Sequence, residues 1–448
     1  MTLNMQSHER FQLARTIMAF GLAFMCLSSV SHAQDIPDPN PRPNSDGTFT
    51  WWVGNDMQFP VIQDVLDAAF PGDEIVILAG LYVEDLLLSN DDLTIRPACM
   101  QQGDVAMWDE VVMWNPTEGF EDDPWSIKVE DSDGCYVGRP RQFFQLANGY
   151  QALTTVEPGE WAPVSAGVDV ATVTQNSGGV AMTFWSRDIG SVAIYARAGT
   201  PTFHSCLIKS QSGFGCGLLA AGDGCAVALV DCEFTDFLGD AGVIDGIEMN
   251  PITIYAQPSE VVSPRFRNCI VRACVSGAAG VINQTGARSS WIECDFLDNQ
   301  TPVSDGVVLI NDGPASFSNC VFSGNLSRLG TVRINAGKVL SASRGVEFDR
   351  CDFIANMTID GQYGGVVSAA GTEGSPPPVE FSGCGIDGNN GHEGFNFFDI
   401  KTPFFPYYRV GEDLVDSAVN HEGKRADLTG DGKVDGSDLV QLLSDWTF

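Results

Sequence analysis

The sequence predicts an all-β solenoid, and three observations lead there. First, seven segments repeat one template, an aromatic or aliphatic residue three positions before a cysteine and a hydrophobic residue two positions after it. They are Phe203–Ile208, Leu229–Phe234, Phe266–Val271, Trp291–Phe296, Phe317–Phe322, Phe348–Phe353 and Phe381–Ile386. Second, the cysteines recur at intervals of 26, 37, 25, 26, 31 and 33 residues. A period of that size marks stacked units, none of which buries its apolar face alone. Third, glycine followed by β-branched residues stands upstream of most units, at Gly242, Gly280, Gly306, Gly330 and Gly365. Each marks a second short strand entered through a turn. No unit carries an amphipathic helix, so each coil is expected to hold at least two strands and two sharp corners.

Side-chain parity adds a bend to every coil. Cys320 and Phe322 share one face of a strand, whereas Phe317, three residues earlier, would point outward on a straight strand. A bend between Phe317 and Cys320, and at the same place in each unit, turns all three inward. In four consecutive units an asparagine follows the cysteine by five residues: Asn299, Asn325, Asn356 and Asn389. Asparagine tolerates left-handed backbone and bonds locally, so these residues are expected at the corners themselves.

From the N-terminus, Arg10 and Arg15 precede an apolar stretch, Ile17–Val30, and then Ser31-His32-Ala33. This reads as a secretory signal cleaved before Gln34. The stretch is too short for a membrane span. Residues 34–60 form an extension. Within Val61–Glu84 a short helix, about Ile62–Phe70, is expected to plug the open end of the stack, with Glu74–Leu78 as its first strand. The solenoid is assigned to residues 61–400. Its pattern weakens between Cys99 and Arg197, where Trp108, Trp114, Trp125, Trp161 and Trp185 are scattered, either as a sugar-stacking platform or packed beneath loops. Residues 401–424, with the aromatic run from Phe404 to Tyr408, make a cap or linker.

This arrangement resembles right-handed parallel β-helix proteins, in particular the F-x-x-C-x-F-x-x-N repeats of polymorphic outer-membrane proteins and of many secreted bacterial proteins. The opening Val61–Glu84 resembles the start of pectate-lyase-like helices. The resemblance implies a right-handed, single-stranded parallel β-helix with an N-terminal capping helix. The pectate-lyase-like fold hosts polysaccharide lyases, which use calcium and an Arg or Lys base, and glycoside hydrolases, which use clustered aspartates. The local signatures W-x-D-H, N-T-D, G-H-G and R-I-K are missing from this sequence.

One of the 13 cysteines, Cys26, leaves with the signal. Export favours disulfides, yet strands stacked about 4.8 Å apart hold parallel Cβ atoms beyond the roughly 3.5–4.5 Å a disulfide needs. The seven template cysteines are therefore expected as a column of small buried hydrophobes. Cys216 and Cys225, outside the template, are candidates for a loop disulfide. Cys99, Cys135 and Cys274 have no assigned partner.

The net charge is -34, and loss of the signal makes it one unit more negative. This excludes a nucleic-acid partner, which demands basic patches. Of the histidines after the signal, His204 is expected to point outward from a coil, His392 to lie in a surface loop, and His421 to follow the solenoid. Asp236, Asp240, Asp245 and Glu248 fall in the longest gap, where a site loop would fit or where a solvated acidic loop would do nothing.

The C-terminus, residues 425–448, holds the one specific chemical motif. Calcium takes roughly six to eight oxygen ligands. The loop Asp427–Asp438 offers Asp427, Thr429, Asp431, the backbone carbonyl of Lys433, Asp435 and Asp438 at the ligating positions, with Gly432 at the sharp turn. Leu439, Leu442, Leu443 and Trp446 follow along one helical face. The loop resembles the calcium loop of dockerin type I modules and EF-hands, in the single terminal copy seen in planctomycete-type exported proteins. Thr429 departs from the usual Asn or Asp. The resemblance implies bound calcium and a cohesin-like protein partner.

These readings converge on a secreted or cell-surface protein that binds or scaffolds extracellular carbohydrate or envelope partners. The alternative is a calcium-dependent polysaccharide lyase or glycoside hydrolase, with its catalytic residues unassigned; a third reading is an adhesin. A compact cluster of carboxylates with Arg or Lys on one face would favour the enzyme.

Overall fold

The computed structural model describes most of residues 40–399 together with 408–410; left out are 55–57, 79, 103–104, 109–110, 115–124, 139–152, 158–159, 164–181, 188–190, 240–241, 245, 278, 304–305, 336–344, 360–365, 371–378, 388 and 390–397. The chain winds as a right-handed parallel β-helix. Each coil lays one strand on each of three parallel sheets. A representative coil runs through Ala315–Ser318 on the first sheet, Val321–Ser323 on the second and Val332–Asn335 on the third, and returns to the first at Val346–Asp349. In-register ladders such as Phe317 to Phe348 and Val321 to Asp352 join successive coils. Parallel strands need a connection that crosses back over, and the rest of the coil is that connection.

Between the first and second sheets lies the expected bend. The residue before each template cysteine has left-handed backbone: Ser205, Asp231, Asn268, Glu293, Asn319 and Arg350 have φ between 50° and 56°, and Gly383 has φ 59°. One such residue turns the chain sharply enough that Phe317, Cys320 and Phe322 are all buried. A second left-handed residue ends the second-sheet strand, at Asp236, Ala273, Asp298, Gly324 and Ala355.

The asparagines sit one residue past this second bend, and here the expectation is corrected. They are fully or almost fully buried and bond along the solenoid axis rather than locally. Asn325 shows the pattern. Its Nδ2 donates to Phe296 O of the preceding coil (2.8 Å) and to Asn356 Oδ1 of the next (2.9 Å). Its Oδ1 accepts from the backbone N–H and the Nδ2 of Asn299 (both 3.1 Å). Each buried amide is thereby satisfied only by its neighbours, as low-dielectric burial requires.

The cysteines form the expected buried column, free of disulfides. Cys351 Sγ donates to Phe317 O of the preceding coil at 3.4 Å, and Cys384 repeats this contact with Phe348 O. Burial pushes the thiols of Cys232 and Cys269 well above their ordinary range. Cys216 and Cys225 are also free. Cys225 lies in the main core and Cys216 in a separate cluster outside the third sheet, so the sheet itself stands between them. Cys274 occupies the ladder position before Asn299, whose Oδ1 accepts its N–H at 3.1 Å.

The stack begins one strand earlier than expected. Phe49–Val53 pairs in parallel with Glu74–Ile77 and is itself edged by Arg42–Pro43. Asp73 fastens this end by accepting from Phe49 N (2.8 Å) and Trp51 Nε1 (2.9 Å). The capping helix, Ile62–Ala68, buries Ile62, Val65 and Leu66 over the open core. Glu84 caps its N-terminus, accepting from the N–H groups of Ile62 (2.9 Å) and Gln63 (3.1 Å); burial pushes this carboxyl up despite those bonds.

Described strands within residues 99–197 continue the solenoid. Strands Val111–Trp114, Trp125–Val129, Tyr136–Gly138, Met182–Ser186 and Val192–Ala196 carry all three sheets through this stretch. A four-stranded side sheet, with Cys99–Gln102, Val105–Trp108, Leu153–Glu157 and Glu160–Pro163, is the insertion. No helix among the described residues is long and apolar enough to cross a membrane.

Candidate functional site

The turns that return the chain from the third sheet to the first build a groove over four successive coils. Its lining is Glu130 and Asp131, then Arg197 and Ala198, then Gly222 and Asp223, then Glu260, around an open volume of about 410 Å3. The local sequence explains why the turns stack. Asp131 has φ 55° and Gly222 φ 87°. A Cβ on Gly222 would stand 2.2 Å from Arg197 O, so only glycine lets the two coils approach.

The carboxylates are held apart by different partners. Arg197 Nη1 meets Glu130 Oε1 at 3.2 Å. Asp223 Oδ1 accepts from Val261 N (2.9 Å), and Glu260 Oε2 from Gln257 N (2.8 Å). They do not converge on one ion: among the described residues no three His, Cys, Asp or Glu side chains are grouped to hold a metal. Lys128 extends the site along the strand. Its Nζ lies 3.1 Å from Glu130 Oε2, 4.7 Å from the centre of the Trp125 ring and 5.9 Å from that of Tyr195. Beside the groove Lys128 thus lies over Trp125, which packs on the buried Tyr195.

The acidic insertion after Cys232 has another role. Val243–Ile244 and Ile247–Glu248 pair as an antiparallel hairpin, so Gly242 does not introduce a third-sheet strand. Ile244 and Ile247 pack on Val192, Tyr195, Cys216 and Leu219, covering the outer face of the third sheet. Asp236 sits at a bend and Glu248 on the hairpin, while Asp240 and Asp245 lie outside the described residues.

His204 points outward by parity yet is buried, at 2% exposure. Its Nδ1 lies 2.8 Å from Ser205 Oγ and its Nε2 3.0 Å from Asp231 Oδ2. This Ser–His–Asp contact is structural. Ser205 is 1% exposed, and its left-handed backbone is the bend that every template coil makes. A nucleophile must reach a substrate, and this one is sealed beneath the wall.

The predicted calcium ligands Asp427, Thr429, Asp431, Lys433, Asp435 and Asp438 lie outside the described residues, as do His392 and His421. The sequence reading missed the groove. Its trace was the Asp-Gly or Arg-x-Gly turn that follows three of the four third-sheet strands, at Asp133-Gly134, Arg197–Gly199 and Asp223-Gly224.

The sequence matches no protein-family model and no curated protein. Among solved structures it is similar to the alginate lyase from Paenibacillus sp. str. FPU-7 (11% identity, TM-score 0.41, covering 78% of this chain and 96% of that one). It is also similar to the pectin methylesterase from Aspergillus niger (13%, 0.31, 91% and 99%). A third is pectin methylesterase PemA from Erwinia chrysanthemi (14%, 0.26, 86% and 98%).

Proposed function

We propose that this chain is an exported binding protein whose ligand is an uncharged extracellular polysaccharide lying along the groove from Glu130 to Glu260. The observation behind this reading is the groove's periodicity. Four coils present polar side chains in steps of about 4.8 Å, close to the length of one sugar unit in an extended chain. Carboxylates accept from sugar hydroxyls and Arg197 donates to them. The acidic lining repels uronate polymers and nucleic acid. The test is affinity electrophoresis of the exported chain in gels containing neutral or acidic polysaccharides. Retardation by a neutral polymer, weakened at least about tenfold in Arg197→Ala and Glu260→Gln, is the expected result. Equal mobility in every gel would sink it.

One contact favours a second reading, a polysaccharide lyase or glycoside hydrolase. Glu130 and Arg197 lie together with Asp131 beside them, a carboxylate and guanidinium set of the kind acid–base chemistry uses. Release of unsaturated or reducing ends, lost in both Glu130→Gln and Arg197→Ala, would establish it.

The C-terminal loop is proposed to bind calcium through Asp427, Thr429, Asp431, the carbonyl of Lys433, Asp435 and Asp438, and to present a surface to a cohesin-like or envelope partner. Terbium luminescence excited through Trp446 tests the ion site; Asp431→Ala should abolish it.

A further inference from the structure

One coil near the end of the solenoid carries an exposed apolar strip. Ile354, Met357 and Ile359 are 39%, 44% and 45% exposed, and half-buried Leu326 pairs with Met357 one coil below. The side chains cannot turn inward. Met357 N is bonded to Asn325 O and Ile359 N to Ser327 O, both at 2.8 Å, while Asn356 and Thr358 occupy the inward positions between them. Three apolar side chains fixed outward in one coil make the kind of surface patch that marks a contact.

The chain itself carries a segment of matching character. The last described strand, Tyr408–Val410, lies on the first sheet two coils beyond Val346–Asp349, the first-sheet strand of the strip's own coil. Two coil steps amount to about 10 Å along the axis. Residues 411–424 can span roughly 45 Å when extended, enough to go around the second sheet. They lead to the C-terminal segment, in which Leu439, Leu442, Leu443 and Trp446 recur at the spacing that would place them on one helical face. We propose that the apolar face of Leu439–Trp446 docks on the strip formed by Ile354, Met357 and Ile359, folding the C-terminal module back against the solenoid. This rests on the helical reading of that segment, not on the groove or on any ligand of it.

Met357 reports on the contact directly, because thioether oxidation follows exposure. The full exported chain, residues 34–448, is exposed to dilute hydrogen peroxide in millimolar calcium, and Met357 oxidation is followed by peptide mass spectrometry. Buried Met249 serves as the check that each protein is folded. Expected is a rate at least about fivefold slower in the parent than in Leu442→Asp/Leu443→Asp, with Ile359→Asp releasing the same protection from the other side. Equal Met357 rates in all three proteins overturn the proposal. So does protection that fades on dilution, because a second copy would then be the cover.

Discussion

The early and late coils share one three-sheet cross-section but are filled differently. From Trp291 to Phe381 the interior is two aromatic stacks. Phe317, Phe348 and Phe381 lie 5.1 and 4.9 Å apart on the first sheet, and Phe296, Phe322 and Phe353 lie 4.5 and 4.7 Å apart on the second. The asparagine ladder runs beside them. In the early coils the same first-sheet column is Ile75, Ile95 and Val137, and the second-sheet column is Tyr82, Met113 and Phe184. Identical rings and amides stack because the strands and bends of each late coil repeat those of the last, although the coils lengthen from 26 to 31 and 33 residues. The groove lies over coils whose columns are mixed. Regular filling and the groove are segregated along the axis.

The largest effect should come from breaking an aromatic stack. Phe317 faces rings above, below and across the core. Phe317→Ala should cost about 3–5 kcal/mol in denaturant unfolding. Leu229→Ala, at the equivalent position of an earlier coil, should cost nearer 2–3 kcal/mol, since looser neighbours collapse into the space. Equal losses would mean that the two interiors are packed alike.

Next is the ladder. Asn325→Ala leaves the backbone N–H and the Nδ2 of Asn299 without their acceptor. At roughly 1–3 kcal/mol per unsatisfied buried group, the loss should be about 3 kcal/mol. Cys274→Ala, at the ladder position one coil before the asparagines begin, should cost only about 1 kcal/mol. A small loss at Asn325 would mean that water replaces the amide.

The thiols sharpen the comparison under alkali. Burial pushes Cys274 and Cys216 up to about 12 and Cys225 up to about 11, from an ordinary 9.0. Between those limits the folded protein keeps protons that the unfolded chain loses. Stability is therefore intact below pH 9 and falls as pH rises above it, by about 1.4 kcal/mol per pH unit for each such thiol. Unfolding midpoints measured from pH 8 to 11 should show this slope, and Cys274→Ala should make it shallower by one thiol. A flat profile would mean that the thiols reach water.

Legibility in the sequence follows the same division. The late coils could be read because Phe, Cys and Asn recur where stacking demands identity; the bend before Cys320 followed from parity alone. The ladder's direction could not be read, because a local bond and a bond to the next coil require the same asparagine. Phe49–Val53 was missed since it belongs to no template unit and is held by Asp73, far along the chain. The groove was least legible of all. Glu130, Arg197, Asp223 and Glu260 come from four turns of five to nine residues, and only the ladders bring them together.

The smallest expected effect on stability is at Arg197, and there the distinction between filling and surface is most exposed to failure. Its guanidinium is 52% exposed and its partner Glu130 40%. An exposed pair of this kind contributes at most about 1 kcal/mol. Arg197→Ala should therefore unfold within about 0.5 kcal/mol of the parent while losing retardation by the neutral polysaccharide. Arg197→Lys keeps the charge but not the planar fork, and should restore stability without restoring full binding. A loss above about 2 kcal/mol in Arg197→Ala would give the opposite lesson: the side chain pins the turns together, and the irregular coils, like the regular ones, are shaped by what holds them rather than by what they hold.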